Sequence, residues 1–184
     1  MTVFSEADDD AGEIIRVLDS AGFAPYVASA AHVYGAAMVR GPELVVQRRG
    51  IITSHLDREG FVAVTAMQKQ VLHGFGYGYP GVPGDWWHDV VTGAMSRAAA
   101  RAWMADVFEV AELHVEPSQQ RRGLGRTILQ KLLDSSTSQT VVLSTHDRES
   151  PARRLYRSFG FVDLLRDFRF PGSTEVYAIL GLER

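Results

Sequence analysis

The segment QRRGLG, Gln120 to Gly125, sets two arginines and two glycines where a strand pattern gives way to a helix pattern. Glycine has no Cβ, so a ligand can approach the main chain closely at Gly123 and Gly125. The unpaired N–H groups and positive dipole end of the following helix face such a ligand. Arg121 and Arg122 add full positive charges. The chemistry that fits is the binding of a diphosphate. A dinucleotide fingerprint fails, because its third glycine would fall on Ile128. A Walker loop fails because the Gly-Lys-Ser/Thr ending is missing.

Reactive side chains flank this loop on both sides. Glu109, Glu112 and His114 lie in FEVAELHV, Phe108 to Val115. Strict alternation puts Glu112 on one face with Val110 and His114, and Glu109, Ala111, Leu113 and Val115 on the other, apart from any bulge. Downstream, Tyr156 stands in SPARRLYRSFGF, Ser150 to Phe161, on a helical face with Ala152, Leu155 and Phe159. Taken alone, that spacing describes a core tyrosine. The six histidines, at 32, 55, 73, 88, 114 and 146, form no pair at helical ligand spacing, so no metal is expected.

The elements that must hold these groups follow from periodicity. Phe108 to Val115 reads as a strand that Pro117 stops, and Leu124, Ile128, Leu129, Leu132 and Leu133 form the apolar stripe of a helix. Thr140 to His146 reads as a strand. Val162 to Phe170 and Glu175 to Leu182 are two closing strands around the turn Pro171 to Thr174. Upstream, helices are expected over Pro25 to Val39 and over Pro42 to Leu56. The second opens with a proline after Gly41 and shows Val45, Ile52 and Leu56 on its apolar face. Strands at Phe61 to Met67 and Val71 to Tyr77 are joined by QKQ as in a hairpin. The later part of GFGYGYPGVPGDWW, Gly74 to Trp87, reads as loop, and Asp89 to Ala105 as a third helix. The acidic run Glu6 to Asp10 is either a frayed lead-in or the first turn of a helix reaching Ser20. Pattern alone specifies an α/β or α+β domain.

Gln-x-x-Gly-x-Gly after a strand, followed in order by Ala-x-x-Leu-Tyr and Gly-Phe, resembles the GNAT superfamily of acyl-CoA N-acyltransferases. The likeness is strong over Phe108 to about Asp167 and rests on element order before that. It implies a mixed, mostly antiparallel sheet of six or seven strands flanked by helices, splayed between the signature strand and the strand at Val141. It implies acetyl-CoA as co-substrate, with main-chain groups along Leu113, His114 and Val115 on the pantetheine arm. Gln120, Arg121, Arg122, Gly123, Leu124, Gly125 and Arg126 would hold the diphosphate. Tyr156 would give its proton to the departing thiolate, which a phenol can do because it stays protonated at neutral pH. Glu149 departs from the pattern where many members carry an asparagine, so one coenzyme contact differs.

An N-acyltransferase must also take a proton from its amine. Glu112, beside the implied thioester position, is the first candidate, with Glu109 and His114 in reserve. In this superfamily the acceptor site is usually formed by the first helices and the loops opposite the coenzyme. Tyr77, Tyr79, Trp86 and Trp87 then form a candidate aromatic lid for an ammonium group, and Arg48, Arg49, Arg97 and Arg101 are candidate contacts for an acidic substrate. The expected acceptor is a primary amine of a small molecule or peptide, attacked directly in a ternary complex. Alternatives are a protein N-acetyltransferase and a non-catalytic acyl-CoA-binding regulatory domain.

The 184 residues fit one domain, with residues 1–20 a frayed or helical extension, and 46% hydrophobic content supplies a full core. A net charge of -3 gives no reason to expect nucleic-acid binding. The absence of cysteine removes disulfides and any acyl-cysteine intermediate. The acidic start is unlike a signal peptide and no apolar run approaches the length of a membrane helix, so a cytoplasmic monomer or homodimer is expected.

Overall fold

The computed structural model describes residues 13–184. In chain order the elements are β1 (Ile14–Leu18), α1 (Ser20–Phe23), a 3₁₀ turn at Ala24–Tyr26, α2 (Val27–Met38), α3 (Pro42–His55), β2 (Val62–Gln68) and β3 (Val71–Gly81). There follow α4 (Trp86–Ala94), α5 (Arg97–Trp103), β4 (Val107–Val115), α6 (Leu124–Ser135), β5 (Thr140–His146), α7 (Pro151–Ser158), β6 (Val162–Phe168) and β7 (Tyr177–Glu183). The strands form one seven-stranded sheet in the order β1-β2-β3-β4-β5-β7-β6. Every neighbouring pair is antiparallel except β4 and β5. That parallel ladder runs only from Val107/Thr140 to Glu109/Val142. Beyond it the two strands part, so the expected mixed sheet is present with its splay where the resemblance put it.

Three apolar layers hold the sheet. On one face α6 and α7 supply Ile128, Leu129, Leu132 and Tyr156 against Val64, Phe108, Val110, Val141 and Leu180. On the other, α1–α3 cover Ala63, Phe75, Tyr77 and Tyr79, while Val91 and Met104 cover Val107, Val142 and Ile179. Strand β3 shows why both faces pack closely. Gly74 and Gly76 lie under α6, where an added Cβ would come within 3.0 and 2.9 Å of Ile128 side-chain atoms, and Phe75, Tyr77 and Tyr79 point the other way.

Three expectations are corrected. Residues 14–18 are a strand, not helix: IIRVL is β-branched and pairs with β2 from Ile14/Met67 to Leu18/Ala63. The acidic run at 6–10 lies outside the described residues. The single helix over 89–105 is two, because Met95 is extended and Ser96 caps α5, its Oγ accepting from the Ala99 N–H at 3.2 Å. The expected loop in the glycine-rich segment is confined to residues 82–85, because β3 continues past Tyr77 as far as Gly81, its alternation of glycine and aromatic being a strand period.

Candidate active site

The cradle begins where β4 ends. A 3₁₀ turn at Pro117–Gln119 leads into Arg121, at φ 64°, and Gly123, at φ 91° as the N-cap of α6. No atom lies within 4 Å of a Cβ built on Gly123. Its left-handed backbone and open flank leave room for a ligand at the N–H groups of the first turn. The Gln120 side chain turns back, its amide donating to the Val115 carbonyl at 3.0 Å, and the Arg122 guanidinium donates to Gln119 at 3.1 Å. Arg126 donates to Ser158 Oγ at 2.6 Å and lies 4.8 Å from the Phe159 ring centre, joining the start of α6 to the end of α7. A Cβ on Gly125 would meet Leu155 of α7 at 3.4 Å. The small residue thus sets the cradle close to the helix of Tyr156.

Helix α7 is fixed at both ends. Ser150 caps it through the Arg153 N–H, and Gly160, at φ 96°, lets the Phe161 N–H return to the Tyr156 carbonyl at 3.2 Å. One turn before Tyr156, the buried Arg153 guanidinium donates to both oxygens of Asp163 at 2.7 and 2.9 Å and to Asp147 at 3.5 Å. This buried anchor fixes the rotation of the helix. Tyr156 is buried on the apolar side, and burial, then the charge of Glu112, pushes its hydroxyl far above the ordinary phenol range. Glu149, the departure from the motif, pairs with Arg157 at 2.6 Å at the exposed rim.

Strand β4 carries the other half. Its register against β3 steps from Tyr77/Glu112 to Gly78/Val110, so Ala111 is an extra residue. This bulge reverses the alternation and corrects the expected faces. Val110, Leu113 and Val115 join the α6 side, while Glu109 and Glu112 both reach the α1–α3 side, where the His114 ring also packs. Gly78 permits it, since a Cβ there would fall 2.3 Å from the Glu109 carbonyl.

Both Glu112 oxygens are taken. Oε1 accepts from Arg48 of α3 at 2.8 Å and Oε2 contacts His114 Nε2. Burial pushes this carboxyl up, but His114 and Arg48 outweigh it and hold it below its ordinary value. Arg48 also donates to the Tyr34 hydroxyl at 3.2 Å, and the Tyr34 ring meets His114 edge-on at 5.1 Å. Glu109 has no such compensation. Burial raises its carboxyl to about 8, with Arg58 opposing and Glu112 reinforcing the shift. His55, bonded through Nδ1 to the Tyr77 hydroxyl at 3.0 Å, is lowered to about 4, mainly by burial.

The aromatic lid is corrected too. Tyr77 and Tyr79 are 0% and 2% exposed and lie beneath the carboxylates as part of the core. Trp87 packs with Met104 and Val107, while Trp86 is 57% exposed and lies tilted against Phe170, ring centres 5.6 Å apart. His114, expected along the coenzyme arm, turns its ring to the opposite face, leaving only its main chain for that role. Sequence reading missed Tyr34 and His55, and an outer cluster in which Arg40 pairs with Glu175 at 2.7 Å. His146 and Tyr177 meet the other Glu175 oxygen at 2.7 and 3.0 Å. Arg40 first, then His146, hold Glu175 at about 2. No local signal announces these pairs, which join residues up to 135 apart. Cavities of about 520 and 720 Å³ flank this cluster on either side of the Val39–Arg40 turn.

Residues 83–163 match the model of the acetyltransferase (GNAT) domain family. A GCN5-like protein acetyltransferase of Mycobacterium tuberculosis is 40% identical over 133 residues. The chain is thus similar to the GNAT superfamily by family model over residues 83–163 and by this relative. That alignment covers 68% of this chain and 65% of the relative. The N-alpha-acetyltransferase RimI of the same organism is 35% identical over 39% of this chain and 47% of its own length. The chain thus spans less than two thirds of each. Among solved structures, yncA from Salmonella typhimurium with its cofactor acetyl-CoA superposes with a TM-score of 0.60 at 19% identity, covering 93% of both chains. It shares the GNAT fold with this chain. Among the described residues no helix is long and apolar enough to cross a membrane, and no group of three His, Asp or Glu side chains could hold a metal ion.

Proposed function

We propose that the protein is an acetyl-CoA-dependent N-acetyltransferase whose acceptor is a primary amine of a peptide or protein. The observation that carries this reading is how the candidate groups are disposed about the splay. The glycine cradle and Tyr156 lie on one side of β4 and the Glu112–His114 pair on the other, beside the point where β4 and β5 part, and the charge of Glu112 is still felt at the Tyr156 hydroxyl. The fit to coenzyme A rests on this chain's own groups. The open backbone at Gly123 and the first turn of α6 would hold the diphosphate. The edge of β4 released by β5 beyond Glu109 would pair with the pantetheine arm, through main chain rather than side chains.

The coenzyme supplies the activated acyl group. The Glu112–His114 pair takes a proton from the ammonium, and the freed amine attacks the thioester carbon. As the C–S bond breaks, the Tyr156 hydroxyl gives its proton to sulfur, and the resulting phenolate takes the remaining excess proton from nitrogen. The raised phenol stays protonated at neutral pH but is a weak acid, so its proton moves only as negative charge develops on sulfur, and the phenolate it leaves is a strong base for the nitrogen proton.

A peptide or protein acceptor is favoured over a small molecule for two reasons. The relatives' names describe protein and N-alpha acetylation, and with Tyr77 and Tyr79 buried no tyrosine lid closes over the carboxylates. A binding-only domain would have no use for a buried carboxylate–imidazole pair within electrostatic reach of a buried tyrosine. The test is thiol release from acetyl-CoA with peptides of varied N-terminus, lysine peptides, free amino acids and aminoglycosides. Peptide-dependent release above the rate with small amines is expected, and release with small amines alone would replace the acceptor assignment.

A further inference from the structure

Resting on the acyl-transfer reading, we infer that His114 is the group that takes the amine proton, and that Glu112 is a positioning residue that orients and charges it. The geometry excludes the simpler arrangement in which the carboxylate does both. Each Glu112 oxygen is already engaged, one by a guanidinium and one by the imidazole. An amine reaching either oxygen would have to displace a charged or hydrogen-bonded partner from a nearly closed site. The Glu112 side chain is 5% exposed, against 13% for His114.

The chemistry agrees. A carboxylate held below its ordinary range by neighbouring cations binds a proton weakly, and a weak base makes a poor proton acceptor near neutral pH. A neutral imidazole can accept a proton on one ring nitrogen while the other donates. An ionised carboxylate can only accept hydrogen bonds, so the shared proton belongs to His114 Nε2 and the neutral ring keeps its basic lone pair on Nδ1. The Tyr34 ring meets the imidazole edge-on and Phe75 packs 5.6 Å away, which restricts its rotation.

The ionisable groups around the pair are Tyr34 of α2, Arg48 and His55 of α3, Tyr77 and Tyr79 of β3, Glu109 on β4 itself and, from the other face, Tyr156 of α7. None but Arg48 and His114 reaches a Glu112 oxygen by hydrogen bond among the described residues. Arg48 binds the other carboxylate oxygen and, with His114, keeps the group ionised.

The step balances. One ammonium proton moves to Nδ1, giving an imidazolium paired with Glu112, and the nitrogen lone pair forms the new C–N bond. The C–S electron pair leaves with sulfur and is protonated by Tyr156, the amide nitrogen returns one proton to Tyr156, and the imidazolium releases its proton to solvent.

The experiment is the pH dependence of kcat at saturating acetyl-CoA and acceptor for wild type, His114→Gln and Glu112→Gln, with coenzyme affinity measured in parallel. In His114→Gln, kcat at pH 7 falls roughly 100- to 10,000-fold, the usual worth of a general base, and the acid limb of the wild type disappears. Glu112→Gln keeps an acid limb at a reduced kcat, because the imidazole is still present but no longer held in orientation by the carboxylate. Coenzyme affinity is unchanged in both. In wild type, the His114 ring ¹⁵N shifts titrate in step with kcat, a measurement that needs no variant to fold. A wild-type profile in His114→Gln, loss of the limb in Glu112→Gln alone, or a ring that does not titrate with kcat overturns the assignment. Absence of turnover by the wild type with every amine overturns the acyl-transfer reading beneath it.

Discussion

The two faces of the sheet at β4 solve different problems with different materials. On the side of α6 and α7, the candidate binding groups are main-chain N–H groups at a helix start, and the surrounding packing is apolar: Ile128, Leu132, Val110 and Phe108. On the side of α1–α3, the candidate groups are side chains, and charge is buried: Glu109 and Glu112 are 5% and 6% exposed, with Arg48 and His114 drawn onto the second. A main-chain site tolerates almost any side chain but needs glycine where the ligand approaches. A side-chain site needs particular groups, gathered from wherever the fold brings them. The first therefore leaves a local motif and the second does not.

The contrast breaks most readily at the cradle. Gly123→Glu puts bulk and negative charge into open space at the helix start, so coenzyme A binding should weaken by more than about 1,000-fold, or ~4 kcal/mol. Calorimetry on a variant with wild-type circular dichroism is the measurement, and an unaltered dissociation constant would remove the loop from the coenzyme site. Next comes Tyr156→Phe, which keeps the ring in the apolar layer and removes the proton donor. Turnover should fall on the order of 100-fold with coenzyme affinity retained. Full kcat with chemistry limiting would leave Tyr156 as a core residue.

The smallest effect sharpens the polar side. Glu109 has a folded value of about 8 against an ordinary 4.5, so the folded protein holds a proton that the unfolded chain releases between those values. Stability is then fully present below the ordinary carboxylate range and is lost as pH rises toward about 8. Glu109→Gln cannot ionise, and in urea unfolding at pH 8.5 it should exceed wild type by roughly 1.4 kcal/mol or more, with a much smaller difference at pH 5. A gap that does not change with pH would mean that Glu109 is already compensated.

Much of the fold was legible because local pattern and packing agree. The proline after Gly41 and the Leu124–Leu133 stripe each mark an element that formed within a residue or two of expectation. The errors occurred where local pattern was ambiguous. A short IIRVL run fits helix or strand until β2 is there to pair with it. Ser96 divides a helix through one side-chain hydrogen bond.

The sequence by itself determined the glycine turn at Gly123, the helix of Tyr156 and the strands that flank them at Phe108 and Thr140, since each depends on neighbours within a few residues: glycine conformation and apolar periodicity. Only the tertiary structure decided the faces of β4. One extra residue, Ala111, turns Glu109 and Glu112 to the same side, and a bulge is set by the partner strand rather than by the strand's own composition. It also decided that Tyr77 and Tyr79 are core and that Arg48 and His114 share Glu112. Those contacts join α3, β3 and β4 across up to 64 residues, where burial and charge compensation act through space and leave no trace in local spacing.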